Sequence, residues 1–584
     1  MPLTSRALAR MLVSGATALA WPGLAAAEDA SAPTLDSVIV TGSRDPEDPP
    51  VVAAARARLS RTPGAVSVVS REAYENRAAL ALDDVLRDAP GVYAQRKWGG
   101  DVRLSIRGSG LGNANHNRGL LIAQDGVPLN EADGYGDSQA ADPLNTRFTE
   151  IYRGGNALRF GGALLGGAIN MVTPTGRDAG YDLAARLEGG GFGLHREHLA
   201  IARQWGDWDI YLAGTNQRAQ GWRPQSQQNI QFGALNLGRR FGDDREVRLI
   251  VNGANIAQEI PGALTLAQFE ADPRQAAPNA YANDQGRNQR SVRGSLQARW
   301  RLSEAAVLQG AVYAAWKDLD HPIFQVIDQE SRNYGVFARL DWQGELAGRR
   351  ADAFLGAWLR SGDLDSSFYL NLKGARGARA SHNYQNARAA DVFGEGRLFV
   401  TDELALVAGG TWGTAERDYR SFALPGVAKS FDLKASKTYS WFAPRVGLLW
   451  EDAGGVQVFA NVTRSAEPPN LASMSPTGTG FAPVKAQVAW TAELGTRGRR
   501  GALSWDVTVY RAWLQKELLQ YATGPDIPAT TFNAGETLHQ GIEAALDWRF
   551  SPGWRLRQTW TWSDFRFQGD AQYADNRLPI APKS

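Results

Sequence analysis

Cysteine is absent from the 584 residues. Disulfides, thiolate catalysis and cysteine-ligated metals are therefore excluded. A chain bound for an oxidising compartment can also simply avoid cysteine. An excess of charge of one sign is lacking too: 63 Lys and Arg stand against 61 Asp and Glu. A balance this close to neutral argues against a nucleic-acid surface, so no nucleic-acid partner is expected. No run after the first 27 residues is apolar enough for a membrane helix, and the mean hydropathy is −0.34. That argues against a helical inner-membrane protein. Histidine is scarce, at six. Only His195 and His198 lie close together, and in a strand residues i and i+3 face opposite sides. No metal site and no cofactor is expected.

What is present begins with an address. Arg6 and Arg10 supply a charged region, Met11 to Leu24 a short apolar core, and Ala25-Ala26-Ala27 a small-residue cleavage site. This tripartite pattern predicts a signal peptide over residues 1–27, removed after Ala27. The apolar core is shorter than the ~20 residues of a membrane span. Loss of Arg6 and Arg10 takes 63 basic residues to 61, equal to the acidic count.

Residues 28–60 are rich in Pro, Ala and Asp and read as a flexible tail. One β-branched island breaks it, Asp36-Ser37-Val38-Ile39-Val40-Thr41. Such a run in a mobile tail can add a strand to a partner's sheet edge. Residues 61–178 read as a compact mixed domain. Strands are predicted at Ala65–Val69, Arg103–Gly108, Gly119–Ile122 and Glu150–Arg153, with a short helix through Leu82, Val85 and Leu86. The glycine-dense stretch from Gly154 to Gly167 lacks the Gly-Lys-Ser/Thr ending of a phosphate loop, so tight turns are the better account.

From residue 179 onward the texture is strand after strand. Val458, Ala460 and Val462 alternate with Gln457, Phe459, Asn461 and Thr463. Leu503, Trp505, Val507 and Val509 alternate with Ser504, Asp506 and Thr508. Period-2 alternation with one apolar face means sheet. Short connections such as Gly206-Asp207, Thr401-Asp402-Glu403 and Ser551-Pro552-Gly553 alternate with long ones near 260–288, 361–385, 417–437, 466–486 and 517–538. Fixed parity puts all the short turns at one end of a meander, the pattern of an outer-membrane barrel. The alternation predicts about 17 strands.

Residues 61–174 resemble the plug domain of TonB-dependent receptors. The resemblance rests on six motifs in order: Thr62-Pro63, Leu82-Asp83-Asp84-Val85-Leu86 with Pro90-Gly91-Val92, Ser105-Ile106-Arg107-Gly108, Asp125-Gly126-Val127-Pro128-Leu129, Ile151-Tyr152-Arg153-Gly154, and Gly166-Gly167-Ala168-Ile169-Asn170. It implies a transmembrane antiparallel β-barrel with an N-terminal α+β plug in its lumen. The island Asp36–Thr41 resembles the Ton box, the segment pulled by TonB from the periplasm. Arg107 and Arg153 resemble the family's plug–barrel lock, with Glu493 and Glu543 as the implied barrel partners. Arg–carboxylate forks are strong, directional and polar, which suits a plug that stays seated yet can be released. The family's barrel has 22 strands and resembles this chain up to the approach of strand 18. The barrel is therefore expected to be C-terminally incomplete, with a gap between its first and seventeenth strands.

The function implied is active import of an iron chelate, a siderophore or ferric citrate, across the outer membrane. Haem, cobalamin or another organic nutrient is the alternative cargo. A passive porin or an outer-membrane hydrolase is the alternative of another class, but neither needs a plug and a Ton box. No Ser/His/Asp arrangement emerges, so an enzyme is not expected. An anionic chelate wants Arg, Lys and aromatic side chains around a cavity. The candidates are Arg96, Lys97, Trp98, His116, Asn117, Asp133 and Tyr135 on plug apices, and Arg376 and Arg379 on an external loop. The expected partners are TonB, the ferric chelate, and the outer membrane's lipid and lipopolysaccharide, for a monomeric receptor.

Overall fold

In the computed structural model the described residues are 48–579, except 112–116, 163, 429, 476–479 and 522–528. The expected signal peptide, the island Asp36–Thr41 and His116 lie outside them.

The N-terminal domain is built on a five-stranded sheet. Its strands are β1 (Val66–Ser70), β4 (Leu120–Gln124), β5 (Val127–Pro128), β6 (Phe148–Arg153) and β7 (Gly167–Val172), in the order β1-β6-β7-β4-β5. Only β4 and β7 run parallel. A separate hairpin joins β2 (Val92–Trp98) to β3 (Asp101–Ile106). The glycine-dense stretch forms two 3-10 turns and leads into β7. Gly167 there has φ +104°, and a Cβ at that position would sit 1.8 Å from the Tyr152 carbonyl oxygen.

The tail is not flexible throughout. Pro50–Leu59 forms a helix, α1, and Val52, Ala55 and Leu59 pack on Val66, Val68 and Tyr152. Two causes correct the expectation. Proline at the first helical position fits an N-terminus, and spacings of three and four residues put these side chains on one stripe. Arg58 also pairs with Glu150. A second helix, α2 (Leu82–Leu86), caps the other side of the sheet through Leu82, Val85 and Leu86.

The rest of the chain is one large antiparallel sheet of 17 strands, from Leu183–Gly190 to Trp554–Gln568. Two adjacent rows show why it forms a membrane wall. Val392, Trp412 and Phe442 stand opposite one another and are 48%, 54% and 58% exposed. In the next row Phe393, Thr411 and Ala443 are buried toward the lumen. Alternation thus gives one face to lipid and the other to the plug. No described helix is long and apolar enough to cross a membrane.

Sixteen successive strand pairs each carry a residue-by-residue register. The strand order closes as a ring, so the last strand neighbours the first. That junction carries no such ladder among the described residues, and it lies where the gap is expected.

The external connections differ from expectation at 361–385. The strands Gln325–Leu346, Arg349–Leu372 and Ala375–Phe399 are 22, 24 and 25 residues long. A span needs only ~9–11 residues, so these strands continue far beyond the bilayer. Lys373 and Gly374, both at positive φ, make the tight turn that allows it.

Candidate functional site: the plug–barrel interface

The plug meets the wall through three kinds of contact. The first is a buried ionic cluster. Arg107 follows β3, and Arg153 ends β6. Glu493 and Glu543 point inward from the strands Gln487–Arg500 and Glu536–Ser551. Arg107 Nε and Nη2 donate to the two Glu543 oxygens at 2.9 and 3.0 Å, and its Nη1 donates to Glu493. Arg153 Nη1 donates to the same Glu543 at 3.0 Å. All four expected residues are therefore brought together. The side chains of Glu493, Glu543 and Arg153 are fully excluded from solvent. Burial disfavours the Arg107 charge, but Glu493 and Glu543 outweigh it and hold its pKa well above the ordinary value.

Sequence reasoning missed the other members of the cluster. Asp506 accepts from Arg153 Nη2 at 3.1 Å. Asn156 donates to both oxygens of Glu493 at 3.0 Å, and Asn461 to one at 3.1 Å. The Arg107 guanidinium lies 4.3 Å from the Tyr510 ring centroid. Arg497 clamps the plug backbone at Ser60, Thr62 and Gly64 over 2.7–2.9 Å. Lumen parity was the available signal: Asp506, Thr508 and Tyr510 share one face of their strand, and so do Asn461 and Thr463.

The second contact is apolar. Phe337, Phe354, Trp358 and Phe393 face the lumen and pack against Leu121, Tyr152, Leu158 and Phe160 of the plug. Barrel interiors are usually polar, so this patch marks where wall and plug share a dry core.

The third contact is apical. Glu131 pairs with Lys317, and Asp137 with Arg287 at 2.7 Å. Burial raises the Glu131 pKa despite Lys317. For Asp137 burial also disfavours the charge, but Arg287 and Lys317 outweigh it and hold the carboxyl down to about 2. Arg417, expected in a loop, is buried and donates to the Asp133 and Pro469 carbonyls at 2.9 and 3.1 Å. A cavity of about 80 Å³ lies beside this loop, lined by Arg118, Glu131, Arg360, Arg417, Trp441 and Glu467 among others.

The expected ligand contacts divide. Arg96 lies in β2 rather than a loop, and its guanidinium turns to Asp83 and Asp84 of α2. Asn117 is buried and bonds Leu104 N and Val102 O at 3.0 and 3.3 Å. The Asp133 carboxylate accepts from Leu471 N and Tyr135 N, each at 2.8 Å. These three spend their polar groups inside the protein, because an apex must hold its own loops in shape. Lys97 pairs with Asp101 at 2.8 Å and lies 5.1 Å from the Trp98 ring. Lys317 lies 5.3 Å from the Tyr135 ring. Arg376 and Arg379 follow the tip of the long hairpin on one strand; Arg376 meets Asp328 at 2.5 Å and Arg379 meets the Tyr369 hydroxyl at 3.0 Å. His195 is exposed and His198 buried, on opposite faces. Among the described residues no three His, Asp or Glu side chains form a metal-holding group.

Comparison with known proteins places this geometry. The family model "TonB dependent receptor-like, beta-barrel" matches residues 221–584, and "TonB-dependent Receptor Plug Domain" matches 58–168. The chain is 31% identical over 178 residues to the ferric enterobactin receptor PirA of Pseudomonas aeruginosa, covering 26% of this chain and 22% of that one. It is 33% identical over 119 residues to a hemin receptor of Yersinia enterocolitica, covering 20% and 16%. These alignments span about a fifth of the curated relatives' length. The fold is similar to the unliganded ferric citrate transporter FecA, with TM-score 0.74, 16% identity, and 89% and 81% of the two chains covered. It is also similar to the ferric yersiniabactin receptor FyuA of Yersinia pestis, with TM-score 0.70, 17% identity, and 89% and 82% covered.

Proposed function

We propose, from the fact that the chain belongs to the TonB-dependent receptor family, that it imports a ferric chelate across the outer membrane with energy delivered by TonB. It is a transport receptor and not an enzyme. The observation that carries the reading is the buried cluster of Arg107, Arg153, Glu493 and Glu543. A passive pore has no use for a domain held in its lumen by charge pairs.

In this reading the exported chain loses residues 1–27, and Asp36–Thr41 pairs with TonB by strand addition. The Arg–Glu cluster keeps the plug seated until it is pulled. Ligand arrives from outside, where Lys97, Trp98, Tyr135, Arg376 and Arg379 offer cations and rings to an anionic chelate. An iron chelate is favoured by the names of similar proteins, among them ferric enterobactin and ferrienterobactin receptors. Haem is the second reading, supported by the similarity to a hemin receptor. Lipid and lipopolysaccharide surround a monomeric barrel.

The test is a fluorescence titration of the purified receptor, which has 19 tryptophans, against ferric catecholate, ferric citrate, haem and cobalamin. Saturable quenching by a ferric chelate at micromolar concentration or below is expected. Tight binding by haem or cobalamin alone would remove the iron assignment.

A further inference from the structure

His539 is not needed by the reading above, yet it is 2% exposed and touches the lock itself. Its Nδ1 lies 2.9 Å from the carbonyl oxygen of Arg107, and its Nε2 lies 3.2 Å from Glu517 Oε2. Both partners are acceptors. A neutral imidazole has one N–H and can serve only one of them; an imidazolium serves both. Phe565 stacks on the ring at 4.4 Å. A Cβ on Gly108 would lie 2.6 Å from His539 Nδ1, so this glycine lets the ring approach.

Glu517 stands at the base of an external hairpin, Leu518–Tyr521 with Thr530–Asn533. Its carboxylate also accepts from Thr537 Oγ1 at 2.5 Å. The next residue of the hairpin, Leu518, offers its carbonyl to Arg118 of the plug. Leu518 N donates to Gln487 at 2.8 Å, and Gln487 donates to Glu467 at 2.6 Å. One hairpin base therefore grips the plug at two places, Arg107 and Arg118. Arg107 directly follows β3, and Arg118 stands just before β4.

The grip matters because Arg107 is strained. Its φ is +56°, in the left-handed region that a branched or long side chain rarely adopts, and Gly108 follows at +85°. Such a conformation persists only where the surroundings over-determine it. Glu493 and Glu543 hold the side chain, and His539 holds the backbone.

We propose that Glu517 and His539 couple the external hairpin to the plug lock: while the hairpin base holds Glu517 on a doubly protonated His539, Arg107 stays in its left-handed, locked conformation. Displacement of the hairpin withdraws the carboxylate and the imidazole loses its charge, so its N–H bond to the Arg107 carbonyl falls from a charge-assisted to an ordinary one and the grip on that strained backbone loosens. Both are positioning residues, acting through Arg107. The charged groups around the ring are Glu517 from the hairpin base and Arg107 from the plug, with Arg118 and Glu467 behind Glu517. The inference deepens the receptor reading and rests on it only for what moves the hairpin.

The test uses the full chain with ¹⁵N-labelled histidine in a lipid nanodisc, without ligand. His539 is assigned by the signal missing in His539→Gln. An imidazolium signal at pH 7 is expected in the wild type, and a neutral one in Glu517→Gln, with Glu517→Asp restoring charge. Hydrogen-exchange protection of residues 107–111 should fall tenfold or more in Glu517→Gln, while Ile122 in β4 stays protected. A neutral His539 in the wild type, or unchanged protection at 107–111 in Glu517→Gln, would overturn the proposal. Neither readout depends on the cargo, so failure here is distinct from failure of the import assignment.

Discussion

Arg107 and Glu543 meet as a two-pronged fork, Nε to Oε1 at 2.9 Å and Nη2 to Oε2 at 3.0 Å, with the arginine side chain 4% exposed and the glutamate 0%. Glu543 also holds Arg153 at 3.0 Å. One barrel carboxylate thus restrains two separate segments of the plug.

Removing that carboxylate leaves two buried guanidiniums short of a partner. Glu543→Ala should cost about 3–5 kcal/mol of plug attachment. Hydrogen exchange resolved by domain measures it: plug amides should lose protection while barrel strands keep theirs. Equal protection in both would show that the cluster does not seat the plug.

Lysine cannot replace Arg107. An ammonium is a point charge and cannot hold Glu493 while forking onto Glu543. Arg107→Lys should weaken attachment by roughly 1–3 kcal/mol, the worth of charge-assisted hydrogen bonds lost from a buried site. A shift in the plug's denaturant midpoint with an unchanged barrel transition is the expected result.

Gly167→Ala attacks the fold rather than the lock. The new methyl would meet the Tyr152 carbonyl oxygen at 1.8 Å, and φ of +104° suits only glycine. Strain of about 1–3 kcal/mol or more is expected from the backbone alone. The plug should become sensitive to protease while the barrel strands stay protected.

The apical pair carries a pH signature. Asp137 is held down to about 2 from an ordinary 3.8, against its burial, by Arg287 and Lys317. A depressed carboxylate stabilises the folded state above its unfolded pKa, and that stability is lost as pH falls toward the folded one. The contribution, roughly 2 kcal/mol, is therefore complete above pH 4 and fades between about 4 and 2. Thermal midpoints from pH 5 to 2.5 should fall more steeply in the wild type than in Arg287→Gln. Parallel curves would remove the pair from the account.

Much of this was legible in the residues. The parity of short and long connections gives 17 strands because alternation and turn chemistry are local. Arg107, Arg153, Glu493 and Glu543, expected from motif resemblance as a plug–barrel lock, meet in one buried cluster. Asp506, Asn156 and Asn461 were not found, because no local pattern says which lumen-facing polar side chain meets which plug atom. Arg96 and Asn117 were placed at a ligand surface because they neighbour apical turns. Their partners, α2 and the β3 backbone, exist only once the chain has folded. The helix Pro50–Leu59 was missed because an Ala-rich segment with a weak apolar stripe earns its helicity from packing on Val66, Val68 and Tyr152. The length of the three strands over 325–399 was hidden by polar residues that read as loop.

The import claim is tested most directly by uptake of ⁵⁵Fe-labelled chelates into cells expressing the full chain, with and without residues Asp36–Thr41. The account predicts saturable, energy-dependent uptake that the deletion abolishes, while binding of the same chelate at the cell surface is retained. Uptake unaffected by the deletion, or absent for every ferric chelate that binds, would contradict it.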